Sequence, residues 1–378
     1  MSCPVLELTK NLVKIPSISP LDLGCQNIIS HRLRSLGFKV ENIKINKTNN
    51  IWAERGFGKT LTFLGHTDVV SPGNLTKWNT NPFDPVLVKK KLFGRGVADM
   101  KGAIAAMIVA VERFIFNYPK HTGRLSFIIT SDEESTALDG TVKVVELLNS
   151  RKEIINYCLV GEPSSITVLG DTIKNGRRGS LTACLLINGI QGHIAYPHLA
   201  DNPIHKSLPF LSDLQSFTWD KGNQYFSPTS MQIYKIEAGT EFNNIIPGHI
   251  LIEFNFRFSP EITVDKIKKI VENILNFYYL DYSIEWFLSA KPFFTSKSKL
   301  INSTIYAIQE HTNIFPNLST DGGTSDGRFL SEIGVEVVEL GLINDSIHQV
   351  NEYVNIDDLK SLSIIYESII KDLLLGDS

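Results

Sequence analysis

The sequence predicts an α/β protein in which a mostly parallel sheet forms the core of one domain and a smaller α+β domain, with an antiparallel sheet and helices, is inserted into it. Three observations carry this. Apolar strand-like runs alternate with helical ones over the first half of the chain, the pattern of a parallel sheet with crossover helices. Near Gly176-Arg177-Arg178-Gly179 the texture changes to antiparallel strands with helices, and it changes back near Lys291. The chain has 378 residues, more than one compact core ordinarily holds. The expected boundaries are 1–178 and 293–378 for the discontinuous larger domain and 179–292 for the insert.

Taken in order, Leu8, Leu12 and Ile15 recur at helical spacing, as do Ile29, Leu33 and Leu36. LTFLG, from Leu61, is a short apolar run that reads as a buried strand. A polar loop bearing Pro and Gly follows through Pro85. AIAAMIVAVERFIF, from Ala103, is too long for one ordinary strand and predicts a buried helix, with Asp99 just ahead of it. LSFIIT and NYCLV read as strands, separated by a helical GTVKVVELLN. In the insert, LIEFNFRF sets Ile252, Phe254, Phe256 and Phe258 on one face and Glu253, Asn255 and Arg257 on the other, a half-buried strand. ITVDKIKKIVENILNFYY reads as an amphipathic helix. VEVVELGL reads as a further core strand. NIDDLKSLSIIYESIIKDLLL closes the chain as a helix, with Asn355 as N-cap and acids in the first turn.

Composition excludes several function classes. Hydrophobic residues are 43% and charged residues 20%, ordinary for a globular protein. Lys+Arg 37 against Asp+Glu 40 gives a net charge of −3, which offers no basic footprint for nucleic acid and no polybasic membrane patch. The start MSCPVLELTKNLVK lacks the pattern of a signal peptide, and no apolar run is long enough to span a bilayer. Cys3, Cys25, Cys158 and Cys184 are scattered with no CxxC, which predicts a reducing, cytoplasmic setting. Two glycine patterns fail as nucleotide motifs. GFGKT has Ala53 where a phosphate loop needs Gly, and GRGVADMKG has Asp99 where a third glycine would approach a pyrophosphate.

The polar residues collect where core strands end. LTFLG runs into His66-Thr67-Asp68, KLFGRGVAD ends in Asp99, and LSFIIT runs into Ser131-Asp132-Glu133-Glu134. NYCLVG ends in Glu162, and VEVVELGL leads to a loop with Asp345 and His348. The carboxyl ends of parallel strands share one crevice, where ligands bind. Several carboxylates together repel unless a positive charge joins them, and only Arg95 and Lys101 stand near. Two histidines and several carboxylates without a thiolate suit zinc or a similar divalent ion. Two ions sharing a bridging carboxylate would use the whole set. Residues two apart in a strand face the same way, so Asp68 would hold the second nitrogen of a ligating His66. Singly, each has a simpler role. Asp99 could cap a helix, Glu133-Glu134 could start one, Glu162 could serve a turn and His348 a surface loop. Five strand ends behaving alike outweigh these.

The segments GHTDVV, GRGVADMKG, TSDEES, GEPS, QGHIAYPHLADNP, NNIIPG and GGTSDGRF, in that order, resemble the di-zinc aminoacylase and carboxypeptidase family of metallohydrolases over nearly the whole chain. The resemblance implies a zinc-aminopeptidase-like catalytic domain, an insert that serves as dimerisation and lid domain, and a homodimer. It implies two zinc ions per subunit, with cobalt able to replace one. His66 and Glu162 would hold one ion and Glu134 and His348 the other, with Asp99 bridging and its peptide bond to Met100 cis. Glu133 would be the general base, Asp68 would serve catalysis by holding the imidazole of His66, and His193 would reach the partner subunit's active site. Arg177, Tyr196, Asn243, Asn244, Arg257, Gly323 and Thr324 would bind substrate. The two arginines suit carboxylates as guanidinium forks, whereas for Arg178 a surface ion pair is the simpler role. The implied reaction removes succinate from N-succinyl-LL-2,6-diaminopimelate, in diaminopimelate and lysine biosynthesis. An acetylornithine deacetylase or aminoacylase is the nearest alternative, and an inactive binding protein is the alternative of a different class.

Overall fold

A computed structural model of the chain describes residues 3–375. The chain divides into two compact units. One comprises Met1–Gly176, Phe294–Ser319 and Ser325–Ser378, the other Arg177–Phe293 and Thr320–Thr324.

The larger unit is built on an eight-stranded sheet. Its spatial order is Lys39–Ile45, Thr48–Phe57, Gly123–Thr130, Thr60–His66, Tyr157–Val160, Glu336–Glu339, Thr172–Lys174 and Asn317–Ser319. The four strands from Gly123–Thr130 to Glu336–Glu339 run parallel, while the first two strands are antiparallel additions at one edge. Thr60–His66 is buried at every position, as a strand must be when both sheet faces are covered. On one face Leu61, Phe63, Leu125 and Phe127 pack with Ile104, Ile108 and Val111 of the helix Gly102–Asn117 and with Leu362, Ile365 and Tyr366 of the closing helix Ile356–Leu374. Phe63 stacks on Phe127 at 5.3 Å and meets Tyr366 edge-on at 5.7 Å. Burying each such side chain stabilises the fold by about 1.5–3 kcal/mol. The helix Thr141–Ser150 packs against Thr48–Phe57 and Gly123–Thr130.

Two local expectations are corrected. KLFGRGVAD is not a core strand. Lys91–Phe93 forms a separate three-stranded antiparallel sheet with Val86–Val88 and Tyr353–Asn355. Gly96, at φ +81°, then turns the chain, and Asp99 lies in the irregular turn Val97–Lys101 that leads into Gly102–Asn117, with a cis bond to Met100. A glycine at positive φ ends extension at no steric cost. Asn355 precedes the closing helix, but its side chain makes no cap. It donates to the Asp358 carboxylate at 3.3 Å, and the Ile356 N–H is satisfied by the carbonyl of Lys90 at 2.9 Å.

The position of Glu162 is set by a close approach of two backbones. A Cβ on Gly341 would lie 2.3 Å from the carbonyl oxygen of Glu162 and 2.5 Å from that of Gly161. The backbone leaving the strand Glu336–Glu339 therefore runs directly against the segment that carries Glu162.

The smaller unit is an antiparallel sheet in the order Ser230–Ala238, His249–Phe258, Gly179–Asn188, Tyr282–Ala290. Burial alternates along His249–Phe258 as its sequence predicts. Ile252, Phe254 and Phe256 pack against Phe210 and Leu214 of the helix Pro203–Ser216 and Ile267 and Val271 of Val264–Phe277. The hydroxyl of Thr263 caps the latter helix by accepting from the Lys266 N–H at 3.2 Å. Thr320–Thr324 groups with this unit through side-chain bonds. Thr320 donates to the Tyr225 carbonyl at 2.6 Å, and Asp321 accepts from Ser227 at 3.0 Å. Among the described residues no helix is long and apolar enough to cross a membrane.

Candidate active site

His66 ends the strand Thr60–His66 and is 1% exposed. Its Nδ1 lies 2.9 Å from the backbone carbonyl of Asp68 and 3.6 Å from that residue's carboxylate. A carbonyl only accepts, so Nδ1 carries a hydrogen, and Nε2 is the nitrogen left to ligate once its own proton is displaced. The hold on the His66 ring expected of the Asp68 carboxylate thus falls to its main-chain carbonyl. The buried Asp68 carboxylate accepts from the backbone N–H groups of Glu133 at 3.3 Å and Glu134 at 3.0 Å. It fixes the turn carrying both glutamates.

Asp99 lies between two imidazoles. Its Oδ1 is 3.3 Å from Nε2 of His66, and its Oδ2 is 3.2 Å from Nε2 of His348. Nε2 of each histidine has one further carboxylate beside it, Glu162 at 3.4 Å from that of His66 and Glu134 at 3.0 Å from that of His348. The structure thus brings together His66, Asp99, Glu134, Glu162 and His348, with Glu133 beside them. His66, Asp99 and Glu134, and likewise His66, Glu133 and Glu162, offer ligand atoms within 4.8 Å of one another. Nε2 of His66 and Oδ1 of Asp99 are buried and make no hydrogen bond. Buried polar atoms are almost always paired, so two orphans facing each other among carboxylates fit a divalent cation between them.

The electrostatics agree. Burial disfavours charge on His66, yet the Asp99 and Glu162 carboxylates outweigh it and hold the imidazole well above its usual range. Contacts to Asp99 and Glu134 raise His348 to about 10. Burial, with the Asp99 charge, raises Glu162 to about 7. Asp99 is held below the usual carboxylate range, the two histidines outweighing its burial. Burial and the charge of Glu162 hold Glu133 well above its ordinary value.

Residues 62–372 match the family described as Peptidase family M20/M25/M40. The chain belongs to this family. It is 57% identical over 374 residues, 99% of this chain and 100% of the relative, to succinyl-diaminopimelate desuccinylase from Buchnera aphidicola subsp. Acyrthosiphon pisum, in both strain Tuc7 and strain 5A. Among solved structures it superposes on the M20 metallo-carboxypeptidase Sso-CP2 from Sulfolobus solfataricus with a TM-score of 0.83 at 18% identity, covering 98% of this chain and 99% of that one. It superposes on the YXEP protein of Bacillus subtilis, a dinuclear metal binding peptidase of the M20 family, with a TM-score of 0.71 at 16% identity, covering 99% and 98%. The chain therefore shares the fold of these M20 proteins.

The residues that the sequence resemblance implies for substrate, with His193, all lie in the smaller unit. Arg177 is buried, and its Nη1 donates to the Asp321 carbonyl at 3.0 Å in the loop that carries Gly323 and Thr324. His193 is exposed on the short strand Gly192–His193, which pairs with Ile245–Ile246. Its Nδ1 accepts from the Ala195 N–H at 3.1 Å, and its ring lies 5.6 Å from that of Tyr196. The carbonyl of Asn244, next to Asn243, accepts from the Ile194 N–H at 3.1 Å, so the segments that carry His193 and the two asparagines adjoin. Arg257 stands opposite Ser180 and Ser230 in its sheet, and partial burial together with Arg178 lowers its pKa. Arg178 is half-buried and donates to the Pro228 carbonyl at 3.5 Å, in place of the expected surface ion pair. Asp345 accepts from the Tyr353 hydroxyl at 2.6 Å.

Among the buried acids of the larger unit that escaped the sequence reading, Asp326 and Glu352 stand near the site. Asp326 is 3% exposed with neither oxygen hydrogen-bonded, and Glu352 is 1% exposed. Both sit in polar loop sequence, where an acid normally faces water, and no local pattern marks them as buried.

A proton on each imidazole occupies the position where a cation would bind. With His348 at about 10, most of the metal-free protein carries that proton at neutral pH, so metal uptake must release it. Affinity should therefore rise with pH. Calorimetric zinc titrations in two buffers of different ionisation enthalpy should show net proton release at pH 7. Binding enthalpies that do not depend on the buffer would contradict this.

Proposed function

We propose that this chain is a metal-dependent amide hydrolase that converts N-succinyl-LL-2,6-diaminopimelate and water to LL-2,6-diaminopimelate and succinate. The observation that carries the chemistry is Asp99, with one carboxylate oxygen toward each of two histidines. The substrate rests on the 57% identity to desuccinylases over essentially the full length of both chains. We further propose a cytoplasmic homodimer whose smaller unit serves as dimerisation and lid domain, with two zinc ions per subunit, one replaceable by cobalt. The His and carboxylate donors, without thiolate, suit those ions.

Paired divalent ions, when bound, lower the pKa of a water from about 16 to about 7 and polarise the scissile carbonyl. His66 and Glu162 would hold one ion, Glu134 and His348 the other, and Asp99 both. Glu133 would take the water's proton and pass it to the leaving amine. Adjacent residues point in different directions, so Glu134 can ligate while Glu133 remains free. Asp68 holds both backbones in that arrangement. Arg177 and Arg257 would bind substrate carboxylates as forks, with Tyr196, Asn243, Asn244, Gly323 and Thr324 completing recognition. His193 would donate to the developing oxyanion in the partner subunit's site.

The direct test is turnover of N-succinyl-LL-2,6-diaminopimelate beside N-acetylornithine and a simple acyl amino acid. The succinylated substrate should give the highest kcat/KM. A preference for either of the others would reassign the enzyme within the M20 family.

Glu133→Gln should keep its zinc and lose about two to four orders of magnitude in kcat. Co-expression with His193→Ala should restore activity that neither variant has alone, because a two-fold dimer then pairs an intact Glu133 with its neighbour's intact His193. Loss of zinc from Glu133→Gln would exchange its role with that of Glu134. No recovery in proven mixed dimers would confine His193 to its own chain.

A further inference from the structure

Glu352 lies in the segment that follows His348 and is almost fully buried. Its carboxylate is met by four donors. Oε1 accepts from the backbone N–H groups of Ala98 at 2.9 Å and Asp99 at 3.2 Å. Oε2 accepts from the N–H of Gly96 at 2.9 Å and from Nη1 of Arg95 at 2.8 Å. The turn that carries Asp99 is thus wrapped around one side chain from the His348 segment.

The surroundings strengthen that attachment. The backbone carbonyl of Glu352 accepts from the Gly94 N–H at 3.0 Å. The next residues, Tyr353–Asn355, pair with Lys91–Phe93. Arg95 lies with its guanidinium 5.2 Å from the Trp78 ring, and its Nη2 is 3.5 Å from the His348 carbonyl. Main chain 91–99 and main chain 348–355 are therefore registered by a strand pair at one end and by the Glu352 carboxylate at the other. At that second end stand Asp99 and His348, whose side chains meet at 3.2 Å.

We propose that Glu352 is a positioning residue that sets the affinity of the paired metal site, docking the Asp99 turn on the His348 segment without itself touching a metal. The inference rests on the metal-centre reading under Proposed function. Both oxygens of Asp99 must face different partners at once, so a small rotation of its peptide disturbs two sets of contacts together. A carboxylate that holds the N–H groups of Asp99, Ala98 and Gly96 limits that rotation. Charged acceptors make roughly twice as strong a bond to N–H as neutral ones. Glu352→Gln keeps the shape but leaves one acceptor oxygen, and its NH2 group confronts two of the four donors.

The test is zinc titration of metal-free wild type and Glu352→Gln against a competing chelator, with melting of the metal-free proteins measured in parallel. Wild type should take two zinc ions. Glu352→Gln should bind at least one of them about 10–100-fold more weakly, the usual effect of removing a residue that orients a ligand. Unchanged zinc affinities, with or without a lower melting temperature, would assign Glu352 to folding alone and overturn the proposal. If Glu352→Gln does not fold, Glu352→Asp, which keeps the charge but is one methylene shorter, is measured instead against the same expectation. Failure of both to fold without metal would likewise make the residue a requirement of the fold. Fewer than two zinc ions in wild type would remove the metal centre itself, and the inference with it, whereas failure of Glu352 alone leaves wild type at two.

Discussion

Everything at this site depends on one buried carboxylate. Asp99 is 7% exposed and has an imidazole nitrogen against each oxygen. Removing a charge from water is costly unless it is paired and hydrogen-bonded. Three further carboxylates, Glu133, Glu134 and Glu162, stand around Asp99 and the two histidines, so four carboxylates outnumber the charge that two histidines can supply even when both are protonated. The raised pKa values of both histidines express that imbalance. A pair of divalent cations relieves it more completely than two protons, and the orphaned atoms of His66 and Asp99 lie where such a cation would sit.

The fold meets this demand by holding main chain as well as side chains. Two acids beside the cluster, Asp68 and Glu352, commit their oxygens to backbone N–H groups. Asp68 grips the turn of Glu133 and Glu134, and Glu352 grips the turn of Asp99. Gly341 packs against the peptide of Glu162 where nothing larger fits. His66 needs no such brace, since its strand is hydrogen-bonded on both sides and buried throughout. Ligands fixed through their backbones lose little freedom when a cation arrives, which is what preorganisation requires.

Much of this was legible in the sequence, because periodicity and polarity report different things. Uninterrupted apolar runs gave the parallel strands, and the polar residues at their ends gave His66, Glu133, Glu134, Glu162 and His348. The alternation in LIEFNFRF gave the face that Phe254 and Phe256 bury. Asp99 was found for a partly mistaken reason, since it starts a helix instead of ending a core strand. The i, i+2 rule placed Asp68 beside His66 correctly, but it could not say that the carbonyl would take the imidazole and the carboxylate the glutamate turn. Glu352 and the grouping of Thr320–Thr324 depend on contacts between segments distant in sequence, such as Arg95 with Glu352 and Thr320 with Tyr225. Such contacts leave no local pattern.

Membership of the M20 family accounts for the two-unit construction and for a hydrolytic site of histidines and carboxylates, and the desuccinylase relatives point to the substrate. The centre of the proposal is narrower: one aspartate holding two ions at once. Diffraction from zinc-loaded crystals, with anomalous maps collected on both sides of the zinc absorption edge, tests it most directly. Two peaks about 3.5–4 Å apart, one on each oxygen of Asp99, are expected, the first also bound by His66 and Glu162 and the second by Glu134 and His348. A single peak in fully loaded, active protein, or two peaks with Asp99 bound to only one of them, would contradict it.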